Sequence, residues 1–187
     1  MDEPRDLGVL FSELGGLVAF SPAVVRRELN PVEGEDLWSR LAVDDAGDRA
    51  TDSGVIIPVT LGESDYCRVR VLVGEAAHPG ASWPVRIDDR CLTVRAMATL
   101  LSWRSDDERE VRAEVPDGWY SVTAHLGVAS TDDPDDAGVV LSLALRPVAA
   151  RPHRTATLDA RLDPSDQEHP PLDPARVSGG NPRPDEL

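Results

Sequence analysis

The 187 residues carry 34 Asp and Glu against 19 basic residues, a formal net charge of −15, and every basic residue is arginine. A surplus of that size opposes unaided binding to nucleic acid or to an anionic membrane, because either would be repelled at range, and it favours a basic protein partner. One core of ordinary size is expected at this length, and with aromatics at 4% its mass comes from Val, Leu and Ala, which points to strands.

The first apolar stretch, Gly16 to Phe20, reads as a strand. Glu35 to Leu41 sets Leu37, Trp38 and Leu41 on one side behind Pro31 and Gly34, which predicts a short helix. Val55 to Leu61 is β-branched and apolar, and Pro58 assigns it to an edge or a bulge. Tyr66 to Val73 alternates Arg68 and Arg70 with Cys67, Val69 and Val71, the pattern of a half-buried strand. Trp83 to Ile87 reads as a strand, and after an Asp88-Asp89 turn Cys91 to Leu101 fits a strand or a short helix on pattern alone and is read as a strand because the elements beside it are. Arg109 to Val115 and Trp119 to Gly127 flank Pro116-Asp117-Gly118 and predict a hairpin. An acidic loop, Thr131 to Ala137, leads to the last strand, Gly138 to Val148.

These elements make about eight strands and one short helix, an all-β antiparallel sandwich occupying residues 1–150. Residues 151–187 hold seven Pro and only isolated apolar side chains, so a disordered tail is expected there. Cys67 and Cys91 fall inside strands and read as buried thiols. The N-terminus opens on acids without a basic region, and no apolar run nears the roughly 18 residues of a membrane helix. A cytoplasmic protein is the default expectation.

Catalytic motifs are not found. His78, His125, His153 and His169 have no HxH, HExxH or Cys-His spacing, and there is no GxSxG, P-loop or dinucleotide fingerprint. Ser12 to Gly16 is no phosphate cradle, lacking a strand before it and a Lys after it. No catalytic residue, metal or cofactor is therefore assigned. Asp132, Asp133, Asp135 and Asp136 crowd one loop, for which three readings stay open: a solvated loop that blunts an edge, a calcium site, or a docking patch for an Arg/Lys-rich partner. Asp106, Asp107 and Glu108 form a similar cluster, as do Asp44, Asp45, Asp48 and Asp52. Trp119 beside Tyr120 stands out because neighbouring strand residues face opposite ways, so one of the two must turn from the core. The candidate partner-binding residues are thus Asp132, Asp133, Asp135, Asp136, Asp106, Asp107, Glu108 and Trp119.

Thr51-Asp52-Ser53-Gly54 before VIIPVTL, then VRVLV, Pro-Val-Arg-Ile and finally Val115-Pro116-Asp117-Gly118-Trp119-Tyr120-Ser121-Val122 form an order of elements that resembles the competence protein J family. The short strand ending at Phe20 and the Leu37-Trp38 helix fit the same layout, and the resemblance spans about residues 15–148. It implies a compact β-sandwich whose best-known member inhibits a DNA-degrading nuclease by binding it, without chemistry. No motif carries individual inhibitory residues over, and the chain after Val148 departs from the family's shorter pattern. The expected function is an acidic inhibitor or immunity-type protein that blocks a basic partner, a nuclease above all. A calcium- or carbohydrate-binding sandwich module is the alternative, and an enzyme on a jelly roll would need His78 and His125 to converge with a carboxylate.

Overall fold

Alternation along Tyr66–Val73 (β4) organises the larger of two sheets in the computed structural model, which describes residues 4–61, 66–74, 80–128 and 138–156. Cys67, Val69 and Val71 are buried on one face, while Arg68 and Arg70 point to the other. Arg5–Phe11 (β1) pairs with β4 antiparallel, and Val139–Val148 (β9) pairs with it parallel. Gly118–Val128 (β8) and Ser82–Ile87 (β5) complete the order β1-β4-β9-β8-β5. The second sheet has the order β3-β2-β6-β7, from Ile56–Thr60 (β3), Gly16–Phe20 (β2), Cys91–Ala96 (β6) and Glu110–Glu114 (β7). Both sheets contribute to one core, in which Trp83, Val85 and Leu143 of the first meet Leu17, Ile57 and Leu92 of the second. Each such side chain, fully buried, stabilises the fold by about 1.5–3 kcal/mol.

Strand β2 is buried along its whole length, because the outer face of its sheet is covered too. Pro22–Glu28 (α1), Leu37–Leu41 (α2), Ala46–Asp52 (α3) and the 3-10 turn Met97–Ser102 lie there. A second cluster, including Val18, Phe20, Val25, Leu37, Ile56 and Trp103, fills the space beneath them. Arg95 of β6 enters this layer with a side chain only 1% exposed. Its guanidinium lies 5.4 Å from the Phe20 ring and 5.1 Å from the Trp103 ring. It donates to the Arg104 carbonyl at 2.5 Å and pairs with Glu110, itself 7% exposed.

The architecture is mostly β with two sheets, and it departs from expectation in several ways. Nine strands, not about eight, are present among the described residues. β1 escapes sequence reading because Gly8, at φ +112°, accompanies a register shift between Asp6 and Gly8 that breaks the alternation. The sheet order is mixed rather than antiparallel, since β4 and β9 run together. Three short α-helices replace the single one; α1 follows Ser21 with Pro22 in its first turn, a start signal hidden by its adjacent Val24 and Val25. Met97 to Leu101 is a 3-10 turn where a strand continuation was expected.

The expected hairpin does not form. β7 pairs with β6, whereas β8 pairs with β5 and β9, so Pro116-Asp117-Gly118 carries the chain from one sheet to the other. The Tyr120 hydroxyl donates to the Pro116 carbonyl at 2.8 Å across that turn. β3 does lie at a sheet edge, the place Pro58 requires. Both cysteines are free thiols, Cys67 buried and Cys91 partly exposed rather than buried.

Past β9 the chain stays against the fold through Ala156. The Thr155 and Ala156 N–H groups donate to the Ser82 carbonyl at 2.9 and 3.1 Å, and Arg154 reaches Asp48 and Asp52 at 2.7 and 2.8 Å. The rest of the expected tail lies outside the described residues.

Two carboxylates fasten loops by accepting from arginine. Asp107 is held below the usual carboxylate range chiefly by the Arg109 guanidinium, and Asp88 chiefly by Arg27 with help from Arg86. A depressed native value means this stabilisation is full above the unfolded value near pH 4 and is lost as pH falls through the native one. Tm is therefore expected to fall as pH drops below about 4, and Asp107→Asn to flatten part of that fall in melts recorded across the acid range.

Candidate partner-binding groove

On the helical side, α2, α3, β2, β3 and the 3-10 turn enclose a half-open apolar cavity of about 290 Å³. Trp38, Leu41, Thr51, Ile56, Met97 and Leu100 are among its walls. The groove exists because α2 is only five residues long: Leu37 and Leu41 turn under to the sheet, which leaves Trp38 39% exposed. Asp36 caps the helix, accepting from the Ser39 N–H at 2.9 Å. Gly47 lets α3 come close to α2, since a Cβ there would stand 3.0 Å from the Leu41 carbonyl oxygen. Val43 and Leu101, neighbours in sequence of lining residues, are exposed as well.

The turn between α2 and α3 holds Asp44 and Asp45 in left-handed backbone, at φ 47° and 57°. Aspartate tolerates this conformation better than most residues. Asp45 precedes α3 without a capping hydrogen bond from its side chain. Arg49 donates to the Asp44 carbonyl rather than to either carboxylate, and Arg40 is taken by Glu35 at 2.9 Å. Asp44 and Asp45 consequently have no ion-pair partner among the described residues, whereas Asp48 and Asp52 are paired with Arg154. An apolar slot beside unpaired negative charge is the surface pattern of an interface with a buried anchor and a charged rim.

The sequence-predicted residues fall elsewhere. Asp132, Asp133, Asp135 and Asp136 lie outside the described residues. Asp106 and Glu108 are exposed in the loop before β7, but Asp107 between them is buried, accepting from the Arg109 N–H at 2.9 Å and from its guanidinium at 3.1 Å. Trp119 sits on the outer face of the five-stranded sheet, with Tyr120 turned into the core. The described members are thus divided between the two sheets. His125 stands opposite Ser142 on that same outer face, and His78 lies outside the described residues. Among the described residues no group of three His, Cys, Asp or Glu side chains is placed to hold a metal ion, and no helix is long and apolar enough to cross a membrane.

No family model matches the chain, and no curated protein matches its sequence. Two solved structures are similar in fold. The protein of crocagin biosynthetic gene J is 16% identical, with a TM-score of 0.47 over 76% of this chain and 98% of that one. ComJ from Bacillus subtilis, described as an inhibitor of the DNA-degrading activity of NucA, is 11% identical, with a TM-score of 0.42 over 77% and 96%.

Proposed function

We propose that this chain is a binding protein without chemistry of its own, which takes a basic protein partner by seating an apolar anchor in the Trp38 groove beside the Asp44-Asp45 turn. The partner class is a DNA-degrading nuclease, the one to which the resemblance to competence protein J points. A nuclease presents a phosphate-seeking basic surface, so a protein of net charge −15 attracts it over distance and aligns it before contact. The observation that carries the reading is the coincidence of a half-open apolar slot with two unpaired carboxylates at its side.

The test is titration against purified basic DNA-degrading nucleases, following DNA degradation and association kinetics. Trp38→Ala should weaken binding by roughly thirtyfold, the loss of one interface anchor. Asp44→Asn with Asp45→Asn should slow association and reduce its salt dependence while changing dissociation little. Undiminished nuclease activity at a one-to-one ratio overturns the reading.

A further inference from the structure

A second cavity, of about 240 Å³, opens where α1, the end of α3, β5, β8 and Arg151 meet. Three arginines, Arg27, Arg86 and Arg151, stand around it together with Trp119, an unusual concentration in so acidic a chain. Asp88 organises two of them. One of its oxygens accepts from Arg86 Nε at 3.0 Å and the other from Arg27 Nη1, while Arg27 Nε is used by Glu28 at 2.7 Å. Both terminal nitrogens of Arg86 and one of Arg27 are left without a hydrogen-bond acceptor among the described residues. Arg151 has no ion pair there at all. The Arg86 guanidinium lies over the Trp119 ring at 5.5 Å, so a flat charged group and a flat apolar group already share this wall.

We propose that this cavity binds a small planar carboxylate carried on an aromatic ring. Two acids, Glu28 and Asp88, offset two of the three arginines, which leaves about one positive charge for a ligand. The surrounding net charge of −15 penalises a dianion more than a monoanion, so a carboxylate is preferred over a phosphate ester. Guanidinium nitrogens offer a carboxylate paired N–H donors in one plane, and Trp119 and Val24 provide apolar surface for the ring. The volume admits a single ring with its acid group, at the small end of ligand pockets.

Benzoate is the probe, with benzamide as its neutral equal in shape and phenyl phosphate as the dianion. In 15N-labelled protein the Trp119 indole N–H, assigned by its absence in Trp119→Phe, should shift saturably with benzoate at about millimolar concentration and not with benzamide. Arg151→Ala, which removes no contact that holds the fold together, should weaken benzoate at least tenfold with Tm unchanged. A peptide with a free C-terminal Phe, whose carboxylate is not carried on its ring, should bind more weakly than benzoate. Tighter binding of that peptide, lost in its amide, would make the ligand a chain terminus and overturn the proposal. Equal shifts with benzamide, tighter binding of phenyl phosphate, or no saturation with benzoate overturns the proposal. The groove variants at Trp38 and Asp44 should leave benzoate binding intact, so failure here and failure of nuclease binding are separate results.

Discussion

Glu110→Ala should destabilise the fold by about 3–5 kcal/mol, the cost of leaving a buried charge without its counter-ion. Arg95 would remain between the Phe20 and Trp103 rings with its side chain 1% exposed and could not reach water without opening the layer under the helices. Urea unfolding, read by tryptophan fluorescence and far-UV circular dichroism, gives the midpoint. Replacing both partners, Arg95→Met with Glu110→Leu, should cost less than the single change, because no isolated charge remains. If the single variant is as stable as the parent, water reaches this pair and it is not buried as described. Arg95 also binds the Arg104 and Ser105 carbonyls, so the double variant should show faster hydrogen exchange across residues 102–109 even where its midpoint recovers.

Gly54→Ala should cost about 2–3 kcal/mol, for two reasons that can be separated. The residue sits at φ +74°, in left-handed backbone that an L side chain adopts at a penalty. Its Cβ would also stand 2.5 Å from Trp119 Cζ3 and 3.2 Å from the Arg86 nitrogen, which itself donates to the Gly54 carbonyl at 2.9 Å. Gly34→Ala is the control, since at φ +81° it carries the backbone penalty with nothing within 4 Å of the new atom. Only the Gly54 variant should move the Trp119 indole resonance. Equal effects at the two positions would mean that the ring yields freely.

What was legible in the sequence was alternation. Arg68 and Arg70 set against Cys67, Val69 and Val71 announce β4 and its buried face, and Pro58 announces an edge. Pairing was not legible, because it depends on which strands meet across the core. Arg109 to Val115, Pro116-Asp117-Gly118 and Trp119 onward have every local mark of a hairpin, yet the two strands go to different sheets. Helices of five and seven residues carry too few turns for a clear period, so α1 and α3 stayed hidden. The groove was missed for the same reason. Asp44, Asp45, Asp48 and Asp52 are visible as a cluster, but only the folded chain shows that Trp38 is left outside beside them while Asp48 and Asp52 share an ion pair with Arg154, over a hundred residues away. Asp107 shows the converse, a carboxylate that looks available in sequence and is consumed by its own loop.

The parallel seating of β9 between β4 and β8 has a consequence for how the molecule is made. The centre of the larger sheet is β9, made after β1, β4, β5 and β8, so until it is synthesised β4 and β8 present raw edges to the cell. A nascent chain stalled before Val139 would hold two separate strand pairs, β1-β4 and β5-β8, each with a sticky border, so slowing synthesis through residues 139–148 is expected to lower soluble yield, and a chaperone that shields those borders to restore it.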